Sequence, residues 1–247
     1  MSERVEGRPL RIGLLGRGTV GAPVALGLEA EEGVTLEKIL VTDPDKHIAE
    51  TDGLHKPHQF TADARDIVDN PDIDMVIELM GGLEPAGDYI VRAIKNRQSV
   101  VTANKALLAD RGKAIFDEAK EMKVGVGFEP SVAGKIPIMS TLRHFDGEPI
   151  FLIAGILNGT SNFILTMLEE GKSWDDAVAL AKDKGFAEKD ESRDVRGEDA
   201  ADKITLLASL IWDTPFDRSK VKPTGIDIVT LHDMRIAGRL GTGNGYA

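Results

Sequence analysis

The sequence predicts an α/β protein: a doubly wound parallel sheet, followed by a smaller α+β domain. Three observations lead there. Short apolar runs alternate with helical patterns through the first half, the rhythm of strand–helix–strand crossovers. A glycine-rich turn joins the first apolar run to the first helix. Beyond Pro130 the alternation gives way to mainly helical periodicity.

The elements follow in order. "LRIGLLG" (10–16) reads as a buried strand, followed by a helix through Glu31 and a second strand in "TLEKILVTD" (35–43). A polar, histidine-containing loop leads to a short helix near 62–69 and the apolar run "DMVIELMGG" (74–82). A helix over 85–96, the strand in "SVVTANK" (99–105), a helix to about Lys123 and "VGVGFEP" (124–130) complete the first domain, residues 1–130. Right-handed crossovers then place helices on both faces of the sheet. In the second domain, 131–247, the turn "PSVAGKIP" opens a helix. A strand is expected at "IFLIAGILNG" (150–159), then helices over 160–170, 173–184 and 198–213.

Composition narrows the function. Hydrophobic residues at 42% and charged residues at 29% are ordinary for a soluble globular protein with a packed core. A net charge of −11 with no basic cluster argues against nucleic acid and anionic membranes as partners. No run approaches ~18 consecutive apolar residues, and the N-terminus lacks the apolar core of a signal peptide, so a cytoplasmic protein is expected. With no cysteine, thiolate metal sites and disulfides are impossible. The five histidines form no convergent ligand pattern, which leaves a metal-dependent hydrolase unsupported; His55 and His58 read as solvated loop residues.

The turn Gly16-Arg17-Gly18-Thr19-Val20-Gly21 has the GxGxxG spacing in the required context, between a strand and a helix. Gly16 permits the sharp turn, Gly18 the approach of a pyrophosphate, and Gly21 close helix–strand packing, while the helix N-terminus favours phosphate. This marks a Rossmann-type dinucleotide site, with Arg17, Thr19 and Val20 completing the turn. Asp43, after the second strand, suits the adenosine ribose hydroxyls and favours NAD. Arg17 and Lys46 suit a 2′-phosphate and pull toward NADP; the balance favours NAD. Asp43 also has a plain role in turn chemistry, within "DPD". Lys105 starts the helix after a strand, at the sheet edge where ligands bind.

The helix in "DVRGEDAADKITLLASL" (194–210) raises a different question. At ~100° per residue, Glu198, Asp202, Thr205 and Ser209 line one face, expected to meet solvent. Asp199 and Lys203 instead share the apolar stripe continued by Leu206 and Leu210. A carboxylate four residues before a lysine is the favourable order for an ion pair. On an apolar stripe, that pair is expected to be half-buried at a domain cleft.

Taken together, "GRGTVG", "TANK", "FEPSVAGKIPI", "GILNGTSNFIL" and "GFAEKDESRDVRGEDAADK" resemble homoserine dehydrogenases, in the family's order and over residues 10 to about 230. The resemblance implies NAD(P)-linked interconversion of L-homoserine and L-aspartate 4-semialdehyde, a step of threonine and methionine biosynthesis. It also implies a site. Lys105 matches the lysine between nicotinamide and substrate. Gly159 and Thr160 match the "NGT" turn, Phe186 stands where tyrosine is common, and Glu188, Asp194, Asp199 and Lys203 match the acidic substrate-binding motif. Lys105 and Lys203 are the catalytic candidates, with Lys105 favoured as the proton donor. Carboxylates suit the substrate's ammonium group, and a lysine suits its carboxylate or the oxygen that gains charge.

The segment "EPSVAGKIP" resembles the family's monovalent-cation loop, implying Na⁺ or K⁺ on the carbonyls of Glu129, Val132, Gly134 and Ile136. Lys135 departs from the small residue usual there. A homodimer through the second domain is implied as well. The family pattern continues past a segment like "GIDIVTLHDMRIAGRLG", and many members append an ACT-type regulatory domain. An incomplete substrate domain is therefore expected here: a truncated chain, a fragment completed by another polypeptide, or a smaller variant. The competing functions are a dehydrogenase for a related amino acid or semialdehyde and a catalytically incompetent NAD(P)-binding fragment.

Overall fold

The computed structural model describes residues 7–50, 55–133, 136–143, 149–187, 190–212 and 217–240. It forms two compact units, Met1–His144 and Phe145–Ala247.

In the first unit, β1 (Leu10–Leu15) is an almost wholly apolar hexapeptide and runs through the middle of the sheet. After the glycine turn come α1 (Gly21–Ala30) and β2 (Val34–Leu40). The loop expected next contains α2 (Pro44–Glu50), which corrects that expectation. Its start was encoded in "DPD": proline is preorganised for a first helical turn, and the Asp43 carboxylate accepts the Lys46 N–H at 3.1 Å. A two-residue strand, β3 (Phe60–Thr61), was also unanticipated, being too short to show a period. The unit continues through α3 (Arg65–Val68), β4 (Met75–Glu78), α4 (Ala86–Lys95), β5 (Ser99–Thr102), α5 (Lys105–Met122), β6 (Val126–Gly127), α6 (Glu129–Ala133) and α7 (Ile138–Arg143).

All six strands are parallel, in the order β3-β2-β1-β4-β5-β6. The chain therefore winds outward from β1 in one direction and from β4 in the other. The carboxyl ends of β1 and β4 border the crevice where such sheets bind ligands. Ile12, Leu14, Ala25, Leu36, Ile39, Val41 and Phe60 form a buried cluster beneath α1 and fix that edge.

The second unit opens with residues 149–158, where the expected strand does not form. No backbone ladder reaches this run among the described residues, and Phe151 and Leu152 are 87% and 79% exposed. The composition is strand-like, but a strand exists only when a neighbour takes its hydrogen bonds. Every regular element described in this unit is helical: α8 (Gly159–Glu169), α9 (Trp174–Asp183), α10 (Ser192–Val195), α11 (Glu198–Ile211) and α12 (Leu231–Leu240). Ile164, Leu165 and Leu168 of α8 meet Ala177 and Ala181 of α9 and Val195 of α10 in its core. Among the described residues, no helix is long and apolar enough to cross a membrane.

Candidate active site

The glycine turn is built as its spacing requires. Gly16 has φ +96, a conformation costly for any residue with a Cβ. A Cβ at Gly21 would lie 2.1 Å from the Gly16 carbonyl oxygen, so the helix starts against the turn with no room for a side chain. At Gly18, by contrast, nothing lies within 4 Å of the would-be Cβ. Two glycines close the turn, and the third leaves backbone open on the side a ligand would use. Val20, the N-cap of α1, supplies no side-chain hydrogen bond to the helix's first N–H groups, and Thr19 is exposed. These features fit a dinucleotide pyrophosphate.

Beside the turn, the Arg17 guanidinium carbon sits 5.9 Å from the Phe60 ring centroid, and its Nη1 is 3.3 Å from His47 Nδ1. The buried Arg17 Nε has no hydrogen-bond partner among the described residues. Asp43 is exposed three residues beyond β2 and caps α2, so its turn role is realised. Asp43 beyond β2 thus offers an acid for ribose hydroxyls, and Arg17 on the glycine turn a cation for a phosphate.

Lys105 is partly buried and is the first residue of α5. Asn104 is buried and caps this helix, its side-chain oxygen accepting the Leu107 N–H at 3.2 Å. Sequence reasoning missed the group beneath it. Glu78 ends β4 with no exposed surface and hydrogen-bonds to Thr102 of β5. An acid closing an apolar strand was the available signal.

In the second unit, Asp199 and Lys203 lie on α11, and the pattern expected of that helix is partly corrected. Asp199 is buried, and its Oδ2 lies 2.7 Å from Lys203 Nζ, as expected of that pair. Lys203 also donates to the Leu157 carbonyl at 2.8 Å. The face assigned to solvent is covered instead: Asp202 and Thr205 are 5% and 2% exposed. Asp202 takes hydrogen bonds from Arg193 at 2.8 Å and from Arg218 at 2.6 Å, and Arg218 also reaches Glu198. Burial works to lower the Arg218 pKa, but its bonds to Asp202 and Glu198 outweigh that and raise it. Helical periodicity could not announce arginines arriving from separate segments.

Asn158, also missed, joins the acids. Its amide nitrogen donates to Asp194 Oδ1 at 2.7 Å and Asp199 Oδ2 at 3.0 Å. Its oxygen accepts the Ser161 N–H at 2.7 Å and caps α8, an N-terminus legible from asparagine in "NGTS". The line Asp194–Asn158–Asp199–Lys203, buried at Asn158 and Asp199 and partly buried at its two ends, is therefore continuous. Gly159 begins α8, and Thr160 Oγ1 donates to the Phe186 carbonyl at 2.6 Å. The Phe186 ring is exposed and tilts against Phe163. A cavity of about 490 Å³ has Asn158 and Asp194 in its wall, with Leu157, Ile204 and Pro223 among its apolar lining.

Glu188, Gly134 and Lys135 lie outside the described residues. Of the other three expected cation-loop residues, Glu129 and Val132 sit on α6, Val132 buried, and Ile136 is exposed. The Ile136 carbonyl accepts the Ile138 N–H at 2.8 Å.

Residues 16–129 match the family model for the homoserine dehydrogenase NAD-binding domain, and residues 137–244 match that for homoserine dehydrogenase. The chain is 41% identical over 245 residues to the homoserine dehydrogenase of Bacillus subtilis, covering 95% of this chain and 56% of the relative. Against the Pseudomonas aeruginosa enzyme the identity is 40%, covering 95% and 55%. The crystal structure of a homoserine dehydrogenase from Thiobacillus denitrificans superposes with TM-score 0.85 at 40% identity, covering 95% of this chain and 56% of that one. A hyperthermophilic archaeal homoserine dehydrogenase in complex with NADPH gives TM-score 0.75 at 28% identity, over 90% and 75%. The chain spans little more than half the length of the bacterial relatives it matches.

Proposed function

The chain belongs to the homoserine dehydrogenase family, and we infer from that premise that it interconverts L-homoserine and L-aspartate 4-semialdehyde with NAD or NADP. In the oxidising direction, the carbinol carbon gives up a hydride and the hydroxyl a proton, so homoserine and NAD(P)⁺ become the semialdehyde, NAD(P)H and H⁺. When bound, the dinucleotide supplies the hydride acceptor.

The observation that supports this reading best is the partly buried line Asp194–Asn158–Asp199–Lys203. A zwitterionic amino alcohol needs an anionic partner for its ammonium and a cationic one for its carboxylate. Asp194 and Glu188 take the first role, and Lys203 the second, oriented by Asp199. Burial makes such groups selective, because a ligand lacking the matching charge would leave one unpaired. Gly159, Thr160 and Phe186 bound the substrate, and Lys105 moves the hydroxyl proton. Gly16, Arg17, Gly18, Thr19, Val20 and Gly21 hold the pyrophosphate end of the cofactor, and Asp43 its ribose. A monovalent cation on the carbonyls of Glu129, Val132, Gly134 and Ile136, a homodimer and a cytoplasmic location belong to the same reading.

The test is the rate of reduced-cofactor formation from L-homoserine with NAD⁺ and with NADP⁺, comparing the native chain with Lys105→Ala and Lys203→Ala. Turnover that collapses in both variants supports the assignment. Turnover that survives both overturns the lysine roles, and no turnover in a chain that binds the dinucleotide overturns the activity.

A further inference from the structure

We propose that Glu78 is a positioning residue that ties the β4 loop to the start of α5 and so shapes the seat of the cofactor's nicotinamide half; this rests on the dinucleotide-binding part of the reading above. Glu78 has no exposed surface and stands at the carboxyl end of β4, bordering the crevice. Both carboxylate oxygens accept hydrogen bonds. Oε1 takes the N–H groups of Met80 at 2.8 Å and Gly81 at 3.0 Å, and Oε2 takes the Thr102 hydroxyl at 2.6 Å.

From Thr102 the connection runs on toward Lys105. The Thr102 hydroxyl oxygen accepts the Asn104 N–H at 3.0 Å. Asn104 caps α5 with its oxygen and returns its amide N–H to the Gly82 carbonyl at 2.6 Å. The loop of residues 79–82 and the first turn of α5 are thus held from beneath by one carboxylate and one hydroxyl. The effect is one of placement.

A buried carboxylate is costly to desolvate and persists in an apolar strand only with its donors supplied. A hydrophobic residue at position 78 would fill the space but leave the Met80 and Gly81 N–H groups without that acceptor. The fold consists of two mononucleotide-binding halves, and β4, β5 and β6 form the half opposite the adenosine side. Disturbing the Glu78–Thr102 link should therefore loosen the nicotinamide end and spare the adenosine end.

Two variants and one rescue test this. Glu78→Gln offers one acceptor oxygen where two are used, which strands either the loop N–H groups or the Thr102 hydroxyl. Thr102→Val removes only the hydroxyl at near-constant volume, and Thr102→Ser restores it. Binding is measured by titration with NADH and, separately, with ADP-ribose, alongside the melting temperature. The expected result is NADH affinity about tenfold weaker in Glu78→Gln and Thr102→Val. ADP-ribose affinity should stay within about twofold, with Thr102→Ser close to native. Equal losses for both ligands, or no loss for either, overturn the proposal. If Glu78→Gln does not fold, Thr102→Val decides by the same criterion. The binding ratio needs no turnover, so a chain that fails to oxidise homoserine would defeat the activity and leave this test standing.

Discussion

An alanine methyl at position 21 would lie 2.1 Å from the Gly16 carbonyl oxygen, so Gly21→Ala must open the turn. Titration with NADH should show affinity lower by at least about tenfold, the order expected when backbone donors lose their aim. Gly27 is the control: it lies inside α1 with nothing within 4 Å of its would-be Cβ. Gly27→Ala should stabilise the chain by roughly 0.5–1 kcal/mol in urea unfolding, through helix propensity alone, and leave affinity unchanged. Asn158→Ala removes a helix cap worth about 1 kcal/mol and leaves Asp194 and Asp199 without the donor they share. Steady-state kinetics should show a higher KM for L-homoserine. The glycine turn was legible because each of its roles demands one residue type. The work of Asn158 was hidden, since its acids stand 36 and 41 residues away and no local pattern couples them.

At the level of elements, α11 shows both the reach and the limit of periodicity. Its helical period correctly put Asp199 and Lys203 on one line, and they pair as expected. The same period sent Asp202 and Thr205 to water, because it cannot register what later folds over them. Arg218→Leu should cost about 1–3 kcal/mol in urea unfolding, the usual penalty for a buried acceptor losing its partner. Arg193→Leu should cost less than about 1 kcal/mol, since that side chain is 61% exposed and its ion pair screened by water. In the sheet, Asp74 receives Arg8 and the Arg11 N–H. Partial burial pushes its pKa up, but those bonds outweigh burial and hold it below the ordinary carboxylate value. Its stabilising contribution is therefore full above the unfolded value of about 3.9 and fades as pH falls through the lower folded one. Asp74→Asn should lower the melting temperature at pH 7, with the difference from native shrinking below about pH 4.

For the molecule as a whole, the alternating pattern revealed the parallel architecture of the first unit because runs rich in apolar residues alternate there with helices. The second unit was less legible: 150–159 has strand composition, but a ladder depends on a neighbour that composition cannot name. That run leaves Phe151, Leu152 and Ile156 exposed on a chain of net charge −11. Exposed apolar segments of this length favour self-association, which net charge only partly opposes. Leu152→Lys should reduce light scattering at high concentration with an unchanged melting temperature. The glycine turn has its own bearing on redesign. A saturation library aimed at coenzyme choice would waste its diversity at positions 16 and 21, where backbone geometry vetoes almost every side chain. Position 18 can physically house one, so variants there would trade ligand space against new chemistry, while on the proposed reading positions 17, 43 and 46 are the ones to vary for coenzyme preference.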